Sequence, residues 1–206
     1  MWPIFRPFWH VLRANRAEEA PTFADRRAGS FPFAFLGLSA DVTRDLLRTV
    51  ELAPHFTYRR YRKPKPNGGW RDIAEPNPRL KSLQNRIRRY SLGAEPHPAA
   101  LAYRKGLSAL DHAVAHAGAS VVVTADVKDF FPTTAAARVE TWWTAQVENP
   151  DEARILTVLT TDRGGLPQGA STSPAISNLV NFDLDAKLAA RATAAGATYT
   201  RYCDDL

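Results

Sequence analysis

The sequence predicts an α+β fold, and three features of its 206 residues say so. Two β-prone runs, Val121–Asp126 and Ala197–Tyr202, each lead into acidic residues. Phe56–Arg62 alternates aromatic and basic residues, then passes through Pro64-Lys65-Pro66-Asn67-Gly68-Gly69 into Trp70–Ala74, the pattern of a β-hairpin with a basic tip. Most of the remaining chain carries apolar residues at helical spacing.

Each element has its own signal. Residues 1–35 read as an N-terminal arm and connector, the arm's aromatics packing on the domain. Ser39 is placed to cap a helix over Asp41–Leu52, with Val42, Leu46 and Leu47 on one face. Pro78 opens the next helix, with Leu80, Leu83 and Ile87 on one side and Arg79, Lys81, Arg86, Arg88 and Arg89 on the other. A short helix is expected over Ser108–His116 and a buried strand over Val121–Asp126. Helices over 133–147 and 151–161 come next, parted by Asn149-Pro150, and Asp162–Gly169 is a Gly-rich loop. Ser173–Ala190 reads as one long helix with Ile176, Leu179, Val180, Leu184 and Leu188 as its apolar set. The terminal strand ends at Asp204-Asp205.

Composition narrows the function. The chain is 45% hydrophobic, enough for a real core, and its net charge of +6 fits a polyanionic partner. A single cysteine, Cys203, excludes an intrachain disulfide and argues against a zinc site. Pro3, Arg6 and Pro7 interrupt the aromatic N-terminus, so it does not read as a signal peptide. No run approaches the length of a membrane span. A cytoplasmic protein with no membrane role is expected.

Asp126, Asp204 and Asp205 carry the chemistry. An Asp-Asp pair after a strand is most often a solvated turn. Here a second β run also delivers a carboxylate, and two such strands can pair and hold their acids together. Clustered carboxylates repel unless a cation sits between them, and hard oxygen ligands suit Mg²⁺. Two such ions, roughly 3.5–4 Å apart, clamp the attacking and leaving oxygens of an in-line phosphoryl transfer. The arrangement points to a nucleotide polymerase palm.

Four segments in order then resemble the motif series of reverse transcriptases, in detail the bacterial retron-type branch. They are Lys63–Arg71, Asp126-Val127-Lys128-Asp129-Phe130-Phe131, Gly165–Pro174 with Leu166-Pro167-Gln168-Gly169-Ala170 at its centre, and Tyr202-Cys203-Asp204-Asp205. The resemblance runs from about Leu36 to Leu206. It implies a right-hand polymerase, with fingers over 36–118 and a palm over 119–206 whose antiparallel sheet is backed by helices. By the same comparison the thumb is absent and the hairpin bearing the Asp pair lacks its return strand, so the chain is expected to be a fragment. The implied activity is RNA-directed DNA synthesis from deoxynucleotides on an RNA template and a DNA or RNA primer. A cognate non-coding RNA, an effector protein and an antiphage role come only with the resemblance. A group II intron-like or other defence-associated reverse transcriptase, or a non-catalytic nucleic-acid-binding fragment, are the alternatives.

The resemblance assigns roles residue by residue. Asp126, Asp204 and Asp205 match the catalytic carboxylates and, with Val127, the site of two Mg²⁺ ions, for which Mn²⁺ can substitute. Arg71 matches the arginine on the incoming triphosphate, and Lys63 or Lys65 is expected to neutralise its outer phosphates. Asp129 and Phe130 belong to the stretch whose backbone amides meet that triphosphate, Phe131 to the steric gate against a 2′-hydroxyl, and Gln168 to the nascent base pair. Arg79, Arg86, Arg88 and Arg89 are expected on nucleic-acid phosphates. Ala113 and His116 match a retron Asn-Ala-x-x-His element in which His112 replaces the Asn. A metal pair at His112 and His116 is weaker than the reading of a helix face with two polar residues. Cys203 stands where the family has a small residue and reads as packing, not redox.

Overall fold

The structure is a computed structural model and describes residues 57–206 apart from 67, 92 and 148, together with Arg48. The arm and connector over 1–35 lie outside the described residues, as does the expected helix over Asp41–Leu52 except for Arg48, which is helical and exposed.

The hairpin forms as its sequence predicts. Strands β1 (Tyr58–Pro64) and β2 (Trp70–Pro76) pair antiparallel from Tyr58 opposite Pro76 to Pro64 opposite Trp70. Gly68 and Gly69 take φ of 84° and 81°, the left-handed backbone that closes the turn. The pleat sorts the side chains. Arg59, Tyr61 and Lys63 share one face with Glu75, Ile73 and Arg71, while Tyr58, Arg60 and Arg62 take the other. On that second face Tyr58 is buried, and Arg60 forks onto Asp162 with two 2.8 Å hydrogen bonds.

Helix α1 (Pro78–Ser91) starts where Asn77 Oδ1 accepts the Leu80 N–H at 2.9 Å, with proline at the first helical position. Leu80, Leu83 and Ile87 are buried, the stripe that the spacing predicts. Gln84 is buried on the same face. Its Nε2 donates to Tyr58 Oη and to the Leu159 carbonyl, each at 3.0 Å.

The remaining helices are α2 (Ala109–Val114), α3 (Phe130–Thr133), α4 (Ala136–Gln146), α5 (Pro150–Thr160), α6 (Ser173–Val180) and α7 (Phe182–Ala194). Asn149 opens α5 by accepting the Asp151 N–H at 2.9 Å. One core joins Tyr58 and the α1 stripe to Val139 and Trp143 of α4, Ala153, Leu156 and Leu159 of α5, Leu166, and Ile176 of α6.

Three expectations are corrected. Val121–Asp126 is not a buried strand: Val121, Val122 and Val123 are 75%, 56% and 81% exposed. β-propensity is realised only against a partner strand and a covering layer, and among the described residues 121–124 have neither. Ala197–Tyr202 also forms no strand, and pairs only at its end, where Arg201 and Ala100 lie parallel. In place of the expected antiparallel palm sheet there are isolated pairings, and β1–β2 is the one sheet among the described residues.

The long helix over Ser173–Ala190 breaks at Asn181 (φ −91°, ψ 9°). Asn181 Nδ2 donates to the Ser177 carbonyl at 2.8 Å, and Arg138 Nη2 binds both the Val180 carbonyl and Asn181 Oδ1, at 3.2 and 2.9 Å. Asparagine competes in this way with the helix's own ladder. The break re-phases α7 relative to α6. Asp185 is fully buried, whereas Leu184, expected in the apolar set, is 40% exposed.

Gly165 is a pivot of this framework. It pairs with Ala135 and with Asp162, and a Cβ there would overlap the Pro132 carbonyl oxygen. Backbone cannot swing aside as a side chain can. Gly165→Ala should therefore lower stability by about 1–3 kcal/mol, a fall in Tm of several degrees on thermal unfolding. An unchanged Tm would show that the loop yields freely.

Candidate active site at the Tyr-Cys-Asp-Asp turn

The site is built on a charged residue in the interior. Arg201 stands next to last in the β-prone run and is 0% exposed, as is its partner Asp185. The pair is bidentate: Arg201 Nε donates to Asp185 Oδ1 at 2.8 Å and Nη2 to Oδ2 at 2.7 Å. Tyr199 Oη donates to Oδ1 as well, at 2.8 Å. Burial works against the guanidinium's charge, but Asp185's hydrogen bonds and charge outweigh it and hold the pKa above the ordinary value. The guanidinium also lies 5.4 Å from the centre of the Phe130 ring.

Arg201 reaches forward too. Its Nη1 donates to the Cys203 carbonyl at 3.0 Å, inside the turn that bears the acids. Tyr202 and Asp205 exchange both backbone hydrogen bonds, at 2.8 and 3.2 Å, so Cys203 and Asp204 are the two residues of a hairpin turn. Cys203 has φ of 64°, as the first position of a primed turn requires. Asp205 and Leu206 therefore lie on the return side of this turn.

This return pairs with the 125–127 segment. Ala125 and Leu206 exchange hydrogen bonds at 3.1 and 2.8 Å, and the Val127 N–H donates to the Asp204 carbonyl at 2.9 Å. Asp126 and Asp205 stand opposite each other between them, a non-hydrogen-bonded pair, the arrangement that brings opposing side chains closest. Asp126 and Asp205 are exposed and Asp204 half-buried. Their oxygens are the hard donors that a divalent ion takes. Among the described residues no three His, Cys, Asp or Glu side chains are gathered closely enough to enclose an ion. Backbone pairing thus brings the acids into one patch without drawing their side chains into a cage.

Around the turn, Cys203 Sγ lies 2.9 Å from Tyr103 Oη. Burial pushes the thiol up to about 11, opposed by the Tyr103 hydrogen bond and reinforced by the charge of Asp204. The thiol is therefore protonated at neutral pH, in keeping with a packing role. Phe130 is buried and Phe131 half-buried, their ring centroids 5.4 Å apart. Asp129, exposed, precedes them with a left-handed φ of 51°.

Loop 165–170 ties this centre to the hairpin. The Leu166 N–H is shared between the Phe131 and Thr134 carbonyls at 3.2 Å each, and Ser173 Oγ donates to the Pro167 carbonyl at 2.7 Å. The Gln168 carbonyl accepts the Ala74 N–H of β2 at 2.9 Å. Gly169 (φ 126°) abuts the Ala74 carbonyl so closely that a Cβ would sit 2.9 Å from its oxygen. Between hairpin and loop lies a cavity of about 530 Å³, lined among others by Arg60, Arg62, Arg163 and Gln168. Lys63 stands directly opposite Arg71 on β1 and β2, while Lys65 lies beyond the strand in the turn. Lys63, Lys65 and Arg71 are exposed, as are Arg79, Arg88 and Arg89 on α1, whereas Arg86 is half-buried.

His112 Nδ1 and His116 Nε2 both reach the Thr200 hydroxyl, at 2.8 and 2.6 Å. They anchor α2 and the turn that follows it to the segment leading into the acidic turn. Burial, then the neighbouring His116, lowers the His112 pKa, against a smaller upward pull from Asp205.

Comparison with known proteins fits this geometry. The family model described as "Reverse transcriptase (RNA-dependent DNA polymerase)" matches residues 63–206. The chain belongs to the reverse transcriptase family. It is 38% identical to the Retron Mx162 reverse transcriptase of Myxococcus xanthus over 192 residues, 83% of this chain and 39% of that protein. It is 33% identical to the Retron Ec86 reverse transcriptase of Escherichia coli over 168 residues, 80% and 52% of the two chains. Against the Retron Mx65 reverse transcriptase of M. xanthus the identity is 37% over 194 residues, 84% and 45%. The chain thus spans about half or less of these relatives. Among the described residues no helix is long and apolar enough to cross a membrane.

In this reverse transcriptase chain, sequence reasoning missed Arg201, Asp185, Tyr199, Thr200 and Tyr103. A signal existed for Arg201, an arginine placed directly before the Tyr-Cys-Asp-Asp turn in a β-prone run. Asp185 gave none, because a charge is read onto the solvent face by default.

Removing one partner of a buried ion pair strands the other charge, at a cost of about 3–5 kcal/mol. Arg201→Met should lose that much by denaturant unfolding. Adding Asp185→Leu should restore most of it, since apolar replacement of both partners is often neutral. Equal losses in the single and double variants would show that the pair is not the source of the stability.

Proposed function

We propose that this chain carries the nucleotidyl-transfer centre of a retron-type RNA-directed DNA polymerase, with fingers over 36–118 and a palm over 119–206. The observation that carries the reading is the pairing of Asp126 with Asp205 beside the Asp204 turn, in a chain of the reverse transcriptase family. Asp126, Asp204 and Asp205, with the Val127 backbone, would hold the divalent ions, Mg²⁺ or in its place Mn²⁺. When bound, such ions activate the attacking oxygen and neutralise the leaving pyrophosphate.

The chain's own groups prepare the reactants. Lys63 and Arg71, like charges facing each other across the hairpin, form a cationic pair suited to a triphosphate. The facing position favours Lys63 over Lys65 for the outer phosphates. The left-handed backbone at Asp129 suits the amides of the 129–130 segment to the role of anion ligands. The Phe131 ring excludes a 2′-hydroxyl, and Gln168, on a loop pinned to β2, meets the nascent base pair. Arg79, Arg86, Arg88 and Arg89 of α1 guide the template-primer by its phosphates. The template is RNA, the primer DNA or RNA and the substrates deoxynucleotides. A cognate structured RNA, consistent with the retron relatives, completes the reading, and with it we propose an effector partner and a role in antiphage defence.

Two outcomes are expected of the full-length protein. Asp126→Asn or Asp204→Asn should still bind template-primer while extension falls by about 10²–10³-fold or more, the scale of losing one electrostatic stabiliser. Extension by either variant at the wild-type rate would sink the assignment. Replacing exposed Arg88 and Arg89 with Gln should flatten the plot of log affinity against log salt by about 0.7–0.9 for each phosphate no longer neutralised. An unchanged slope would return that helix face to solvent.

A further inference from the structure

Tyr103 combines three features that packing alone does not explain. Its φ is 61°, in the left-handed region that a bulky side chain rarely enters. The residue is 49% exposed, so full burial is not the return for that strain. Its surroundings nevertheless hold it there. The Ala102 carbonyl is fixed by Asn178 Nδ2 at 2.8 Å, and the Leu101 N–H donates to the Arg201 carbonyl at 2.8 Å. A non-glycine residue kept in such a conformation is strained, and such residues cluster at functional sites.

What the conformation achieves is placement. The Tyr103 ring lies 6.4 Å from Phe131, centroid to centroid, tilted by 42°. Its hydroxyl meets the Cys203 thiol at 2.9 Å, in the turn that carries Asp204. Tyr103 therefore spans the gap between the Phe131 segment and the acidic turn. The hydrogen bond between hydroxyl and thiol fixes the ring in that place.

We propose that Tyr103 is a specificity-determining residue, its ring extending the aromatic wall that Phe131 presents to the sugar of the incoming nucleotide. This rests on the reading of Phe131 and the carboxylates as the insertion site. Two aromatic faces offer a 2′-hydroxyl no hydrogen-bond partner, so a ribose would be desolvated there without compensation. A deoxyribose presents only C–H to the same walls.

The test uses the full-length protein in primer extension, with deoxynucleotides and ribonucleotides measured in parallel. Tyr103→Gly removes the ring and suits the left-handed backbone, so its Tm should hold or rise. Its KM for deoxynucleotides should rise and its discrimination against ribonucleotides fall, by about tenfold or more. Tyr103→Asn, also tolerant of this backbone, should behave alike and decides the matter if the glycine variant unfolds. Tyr103→Phe keeps the ring without its hydrogen bond to Cys203 and should fall between these and wild type. Wild-type KM and discrimination in folded Tyr103→Gly or Tyr103→Asn would overturn the proposal. Asp126→Asn and Phe131→Ala run beside them. Full extension by the first, or unchanged discrimination in the second, would overturn the underlying site reading. If both behave as expected and Tyr103 is silent, only the role of Tyr103 falls.

Discussion

The buried pair of Arg201 and Asp185 is the constraint on which the acidic turn depends. Asp185 comes from α7, Arg201 from the segment entering the turn, and Tyr199 closes the network on the same carboxylate. The guanidinium's remaining nitrogen holds the Cys203 carbonyl, and its face rests on Phe130. One side chain thus sets the distance between α7, the 130–131 aromatics and the turn. A pair buried this deeply contributes little net stability over an apolar substitute. Its value lies in geometry, because a forked, planar contact allows one arrangement where leucines would allow several.

The fold that delivers this constraint is economical in regular sheet. Pairing at the centre is limited to a few backbone hydrogen bonds around 125–127, 202–206 and 99–101. What stiffens them is side-chain hydrogen bonding from flanking helices: Asn178 of α6 to Ala102, His112 and His116 to Thr200, Arg201 to Asp185. Of these flanking helices α6 joins, with α1, α4 and α5, the one core that runs from Tyr58 to Ile176.

The elements most legible in the sequence were those whose signal is local. Pro78 and the Leu80, Leu83, Ile87 spacing announce α1, and the Pro-Gly turn announces the hairpin. The acids were legible as a set because each ends a β-prone run. The errors share one cause: the deciding partner is distant in the chain. Val121–Val123 has strand propensity but no neighbour to pair with among the described residues. Asn181 breaks a helix whose periodicity runs on, because Arg138, on α4, takes the Val180 carbonyl. The sign of burial at Leu184 and Asp185 then inverts. Tyr103 was invisible for a different reason, since nothing in a tyrosine announces a left-handed backbone.

The hairpin's attachment has a mechanical consequence. Its base is clamped twice, by Arg60 on Asp162 and by the Ala74 N–H on the Gln168 carbonyl, while the described residues from Arg62 to Asp72 are exposed. Bending is therefore confined to the outer half, like a cantilever fixed at one end. Lys63 and Arg71 sit on that outer half and repel each other. An anion arriving between them turns a loosened tip into a cross-braced one, so the lever stiffens when it is loaded.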